Sequence, residues 1–203
     1  MRYTATSRVR GFTLVELMIV VAILGVLAAL AITGVRNYLT TARTAEAKQI
    51  VGAITRSAIN QFERERDASQ VLPPAGVSAA STHTLCASAT PVPLDFTYVL
   101  GTKYQPNAAP GVDFMSGSTT EGWQCLGFTV DQPIYFQYSY QVGGGYLSEG
   151  MTGAPVLSAE AFEAGARADL DGDGLACTLV RTGEVRDGEI VTSTVIFTNN
   201  DPD

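Results

Sequence analysis

The sequence predicts an α+β protein in which a long N-terminal α-helix lays its C-terminal half on an antiparallel β-sheet head. Three observations carry this. Phe12–Ile32 (FTLVELMIVVAILGVLAALAI) is an apolar run with one charge, Glu16. Apolar and small residues then recur at steps of three and four as far as Phe62. Beyond residue 95, short runs rich in aromatic and β-branched residues are punctuated by Gly, Asp and Pro, the pattern of strands and turns. A chain of 203 residues has room for one core plus an extension, and is short for two cores.

The apolar run comes first. Its 21 residues span roughly 31 Å as a helix at about 1.5 Å per residue, close to the ~30 Å hydrocarbon thickness of a bilayer. Arg2, Arg8 and Arg10 precede it, with no acid. Two ordinary readings compete. Arg-rich residues ahead of an apolar run, with Ala29-Leu30-Ala31 as an A-x-A site, suit a secretory signal peptide. A basic end left in the cytoplasm suits a plain membrane anchor. Glu16 counts against both, because an intramembrane carboxylate costs about 2.5–3.5 kcal/mol near the bilayer centre and usually has a partner. A cut between Gly11 and Phe12 creates such a partner, the new α-amino group of Phe12. Within one helix the pair is poorly placed. A neighbouring copy shifted along the axis places its Phe12 amine beside Glu16 and thereby fixes register.

The stretch Arg10-Gly11-Phe12-Thr13-Leu14-Val15-Glu16-Leu17-Met18-Ile19-Val20-Val21-Ala22-Ile23-Leu24-Gly25 resembles the prepilin cleavage and methylation motif of type IV pilins and type II secretion pseudopilins. The resemblance covers residues 8–32, about an eighth of the chain. It implies cleavage after Gly11 by an inner-membrane prepilin peptidase, N-methylation of Phe12, and Glu16 as the assembly carboxylate. It implies other pilin subunits and the pilus assembly machinery as partners, with the chain in the inner membrane before assembly and in a surface filament after it. The sequence departs from many members at Thr33, where they carry a proline that loosens the helix. Gly34 offers some flexibility instead, since glycine lowers helix stability by about 1 kcal/mol relative to alanine. Whether the helix melts there stays open.

This organisation gives a leader at 1–11, a membrane and assembly segment at 12–33, an amphipathic helix half at 34–69 and a head at 70–203. The helix is expected over 13–67, with Tyr38, Ala42, Ala45, Ile50, Ile54, Ala58 and Phe62 on one face and Arg43, Glu46, Lys48, Arg56 and Arg66 on others. Leu72-Pro73-Pro74 ends any continuation. Residues 70–94, rich in Pro, Ala, Ser and Thr, read as a long surface loop carrying His83 as a solvated side chain and Cys86. Strands are expected at Phe96–Leu100, Cys125–Val130, Ile134–Val142, Ala161–Ala168, Leu175–Arg181 and Ile190–Thr198. The third alternates Ile134, Phe136, Tyr138, Tyr140 and Val142 against polar neighbours, the period of a half-buried strand.

Charge excludes one class of function. Residues 70–203 hold Lys103, Arg167, Arg181 and Arg186 against fifteen carboxylates, a net of about −11, which repels phosphate backbones. Nucleic-acid binding by the head is not expected. Nor is catalysis: there is no G-x-S-x-G, no H-E-x-x-H and no phosphate loop. A helix-anchored exported binding protein is the remaining alternative from another class.

Two local features have chemistry. Asp169-Leu170-Asp171-Gly172-Asp173-Gly174 places carboxylates at alternate positions with glycines for a tight turn, a pattern that can wrap Ca²⁺ with oxygen ligands. Asp169, Asp171 and Asp173 with the Leu175 carbonyl form the candidate set, and Glu184 is a guess at a further ligand. Position twelve is Val180 rather than glutamate, so this is no EF-hand. The competing reading is a Gly/Asp hairpin turn between two strands. The three cysteines, Cys86, Cys125 and Cys177, lie too far apart for a zinc site. Cys177 shares the apolar side of its strand with Leu175 and Leu179, so Cys86–Cys125 is the favoured disulfide.

Overall fold

The structure is a computed structural model and describes residues 11–64, 66–67, 81–170, 172 and 174–200. The fold is α+β, and the chain divides into two compact units, Met1–Thr40 and Thr41–Asp203. One helix, α1 (Leu14–Glu63), crosses the division.

In the first unit, α1 is helical straight through Thr33 and Gly34. The Thr33 hydroxyl donates to Ala29 O at 3.2 Å, and that of Thr40 to Arg36 O at 3.2 Å, so neither is left unsatisfied along the apolar helix. Without proline, Thr33 keeps its backbone N–H, and the ladder has no forced gap.

In the second unit, α1 buries Ala47, Val51, Ile54 and Ala58 at steps of three and four, each of the larger two contributing about 1.5–3 kcal/mol. The helix ends earlier than the expected residue 67. His83 Nδ1 lies 2.8 Å from Phe62 O and must donate to it, since a carbonyl only accepts. His83 also lies against the Phe62 ring, tilted, at 5.7 Å, so this side chain is exposed as expected and caps the helix end as well. Arg66–Asp67 (β1) then pairs antiparallel with Ser81–Thr82 (β2).

The main sheet is antiparallel and six-stranded among the described residues. Its strands are Ala89–Val92 (β3), Gln137–Val142 (β4), Ala161–Ala168 (β5), Cys177–Arg186 (β6), Glu189–Thr192 (β7) and Phe197–Asn199 (β8). They run in the order β3-β4-β5-β6-β7, with β8 also pairing β6. Registers such as Tyr138↔Ala166 and Ala166↔Leu179 place Tyr138, Tyr140, Ala164, Ala166, Ala168 and Leu179 on one face, in the same core as the buried α1 residues. The alanine column of β5 leaves room there for the helix.

Several expectations are corrected. Residues 70–80 lie outside those described, but 89–92 of the expected loop is a strand, because Ala89 and Val92 are buried opposite Tyr140 and Tyr138. Its Pro91 is tolerated because β3 ends the strand order. Phe96–Val99 is a 3₁₀-helix, capped by Asp95, whose carboxylate accepts from Thr97 N at 2.8 Å. A second 3₁₀-helix follows at Asp113–Met115. Gly122–Leu126 is a helix (α2), stopped by Gly127 in the left-handed region at φ 61. A short apolar run does not distinguish helix from strand by periodicity. Ile134 lies ahead of β4 and bridges Tyr104 instead. Leu175 is outside β6 and exposed, and Ile190–Thr198 splits into β7 and β8.

The largest departure concerns β4, which is buried on both faces along much of its length rather than half-buried, as is its neighbour β5. On the face away from α1, the segment around Leu147 covers the sheet. Glu163, almost fully buried, accepts from Leu147 N at 2.7 Å and Ser148 N at 2.9 Å and so anchors that segment. Gly165 gives it room: a Cβ there would lie 2.8 Å from both Leu147 Cδ1 and Ser139 Oγ, so those side chains would have to shift.

Candidate functional site

The N-terminal segment is built around the start of α1. Gly11 and Phe12 are non-helical, and a Cβ at Gly11 would meet nothing within 4 Å. Phe12 is 84% exposed. Thr13 caps the helix. Its hydroxyl accepts from Glu16 N at 3.2 Å, and Leu17 N donates to Thr13 O at 3.2 Å. In return, Glu16 Oε2 accepts from Thr13 N at 2.9 Å and from Thr13 Oγ1 at 2.8 Å. This is a capping box, worth about 1 kcal/mol for the threonine. The Glu16 carboxylate also lies at the positive end of the helix dipole. Charge reasoning singled out Glu16 and missed Thr13, although the T-x-x-E spacing ahead of an apolar run was the signal for it.

Past Glu16, the first unit is an apolar helix surface with no cover. Every large apolar residue from Leu14 to Leu39 is exposed, Leu30 to 67% and Ile32 to 59%. The helix is long and apolar enough to cross a membrane by length and composition. Such an area far exceeds the few hundred Å² that a soluble monomer tolerates. It calls for lipid or for other helices of the same kind. Small residues at Gly25, Ala28, Ala29 and Ala31 let neighbouring backbones come close.

The Asp-rich turn joins β5 to β6. Asp169 is buried, and its Oδ1 accepts from Gly172 N at 2.7 Å while Oδ2 accepts from Gly174 N at 3.1 Å. Asp169 therefore ties the turn to itself. The Leu175 carbonyl accepts from Asn200 Nδ2 at 3.3 Å. Asp171 and Asp173 lie outside the described residues. Among the described residues, no group of three or more His, Cys, Asp or Glu is arranged to hold a metal ion. The guess at Glu184 is corrected: it pairs in register with Ala161, at the far end of β5 from the turn. Its carboxylate is held below the ordinary range by hydrogen bonds from Ser158 and Arg186.

Cys86 and Cys125 form a disulfide across a sequence separation of 39, tying the start of the sheet region to α2. Cys177 is buried in the core, in line with its place on an apolar strand face.

Comparison with known proteins bears on the N-terminal segment. Residues 6–32 match the family described as "Prokaryotic N-terminal methylation motif". Over 57 residues the chain is 37% identical to the fimbrial protein EcpC of Eikenella corrodens. That alignment covers 28% of this chain and 37% of the relative, so the chain spans little more than a third of the curated relative it matches. No solved structure matches. The motif and the fimbrial relative together support a type IV pilin family.

Proposed function

We propose that the chain is a structural subunit of a type IV pilus or related filament. In this reading, residues 1–11 are removed as a leader by a prepilin peptidase, Phe12 is N-methylated, and the Phe12–Ile32 segments of neighbouring copies bury one another. Residues 12–33 serve as the assembly half of the helix, 34–69 as its amphipathic half and 70–203 as the head. The chain sits in the inner membrane before assembly and at the cell surface afterwards. The observation that carries the reading is the uncovered apolar helix with one carboxylate at its head. Burial among like helices accounts for the apolar surface, and a neighbour's Phe12 amine accounts for Glu16.

The test combines mass spectrometry of the mature N-terminus with a Glu16→Ala variant. The expected result is a methylated Phe12 and loss of sheared filaments. A mature terminus near Thr33, or filaments undiminished by Glu16→Ala, would overturn the reading. A minor pilin or a pseudopilin of a secretion complex uses the same helix. Scarcity of the chain in sheared filaments would select that role over the bulk polymer. Calcium at Asp169, Asp171 and Asp173 belongs to this proposal as a structural ion of the head, and calorimetry without heat on Ca²⁺ addition would remove it.

A further inference from the structure

Arg43 stands in the first turn of α1 within the second unit. Its Cζ lies 4.1 Å from the centroid of the Tyr135 ring, and Lys103 Nζ lies 4.7 Å from the same centroid. Arg43 and Tyr135 are half-buried, and Lys103 is exposed. The backbone brings these loops together: Tyr104 N donates to Ile134 O at 2.9 Å, and Ile134 N to Tyr104 O at 2.8 Å. One ring therefore holds two cations. It orients them through its quadrupole and has no net charge with which to neutralise them. Among the described residues neither cation pairs with a carboxylate, although Glu46 follows Arg43 by three residues on α1. The carboxylate beside Lys103 is engaged elsewhere, since Asp113 accepts from the Tyr104 hydroxyl and from Asn107 N. Tyr98, itself exposed, stacks on Tyr104 at 5.9 Å and extends the patch.

We propose that Arg43 and Lys103 bind anionic headgroups of the membrane that α1 crosses, with Tyr98 and Tyr135 in the same interface. The proposal rests on the reading of α1 as a membrane segment before assembly, and it gives the chain at that stage a second contact with lipid. Length along one helix selects the occupant. Arg43 follows Leu14 by 29 residues, about 44 Å at ~1.5 Å per residue. A bilayer with both headgroup layers is about 40–45 Å thick. With the Thr13–Glu16 start in one headgroup layer, Arg43 reaches the other. Tyrosine favours that layer, where its ring meets the ends of the acyl chains and its hydroxyl meets water. Tyr38, five residues before Arg43 on α1, is exposed as well. Residues 70–203 carry a net of about −11, so an anionic surface repels the head except where cations project. Salt confines that field to about 8–10 Å. The charges nearest the entry of α1 therefore decide the contact, and Arg43 and Lys103 are among them.

The experiment uses the full chain reconstituted in vesicles, with Tyr98→Trp as the reporter and a lipid spin-labelled on its headgroup as the quencher. Trp123 is buried and adds the same background throughout. Vesicles of phosphatidylcholine are compared with vesicles that also contain phosphatidylglycerol. Stronger quenching is expected with phosphatidylglycerol, and added salt should remove the difference. One basic residue near an anionic surface is worth about fivefold in the ratio of docked to undocked heads. Arg43→Gln and Lys103→Gln should each lower that ratio by this factor. Arg43→Lys and Lys103→Arg, which keep the charge, should stay within about twofold of the reporter chain. Lys103 is exposed, so its variants leave the core untouched. Equal quenching in the two lipids, or glutamine variants quenched like the reporter chain, would overturn the proposal. So would quenching that follows the density of chains in the bilayer rather than lipid charge, which would give the patch to a second copy. A chain that stays with the vesicles in neither lipid marks a different failure, that of the membrane reading itself.

Discussion

Glu163 offers the sharpest test of the head's architecture. Its carboxylate is buried between β5 and the covering segment, and its two oxygens take one backbone N–H each, from Leu147 and Ser148. Glu163→Ala removes both acceptors and leaves two backbone donors without partners, that of Ser148 buried and that of Leu147 half-buried. Each charge-assisted hydrogen bond is worth about 1.5–3 kcal/mol, and an orphaned donor costs about 1–3 kcal/mol. Part of that is recovered because no carboxylate needs desolvating, so a net loss of about 3–4 kcal/mol is expected. At about 2–4 °C per kcal/mol for a domain of this size, the melting temperature falls by roughly 6–16 °C. The assay is thermal unfolding of the full chain in detergent, followed through the fluorescence of Trp123, which is buried in the same unit. Glu163→Gln, which keeps one acceptor, should fall about halfway. A Glu163→Ala protein within about 1 kcal/mol of the unaltered chain would refute the reasoning, since a surface substitution does no more than that.

Two further outcomes follow from the same unit. Replacing Cys86 and Cys125 by alanine opens a loop of sequence separation 39 and should cost about 4 kcal/mol on the chain-entropy estimate, read as a lower denaturant midpoint under oxidising conditions and no difference under reducing ones. Tyr104 donates its hydroxyl to Asp113 Oδ2 at 2.7 Å, and burial followed by this bond pushes its pKa up to about 12. Because the folded value is raised, the stabilisation is complete below about pH 10 and is lost as pH rises through about 12. The phenolate absorbance that Tyr104→Phe removes should therefore have its midpoint near the upper value, and a midpoint near 10 would contradict the contact.

Much of the fold was legible in the sequence because it rests on local patterns. The apolar run and the steps of four at Ile50, Ile54, Ala58 and Phe62 specify α1 without tertiary help, whereas Tyr38, Ala42 and Ala45, expected on the same face, are exposed and Ala47 and Val51 reach the core instead. Ala161–Ala168 was placed to the residue, since a strand with turn residues on both sides has little freedom. The strands expected at Phe96–Leu100 and Cys125–Val130 fail because in short runs a cap decides the outcome: Asp95 starts a 3₁₀-helix over Phe96–Val99, and Gly127 ends a helix that takes in Cys125 and Leu126. The double burial of β4 was not legible at all. It depends on Glu163, a charged residue in mid-strand that looks solvent-facing until its partners arrive from Leu147 and Ser148, sixteen and fifteen residues away. At the N-terminal site, Glu16 stood out by cost, while Thr13 was visible only as a spacing.

The capping box of Thr13 and Glu16 also separates two events that could have been coupled. Every atom of it lies downstream of the bond between Gly11 and Phe12, so removing what precedes Phe12 would take no hydrogen bond from the box. If the proposed cut between Gly11 and Phe12 is made, the box that starts the helix is the same before and after it. Under that proposal the cut turns an amide into a cation one residue before the cap. The proposed processing would thus add a charge while leaving the capping box intact.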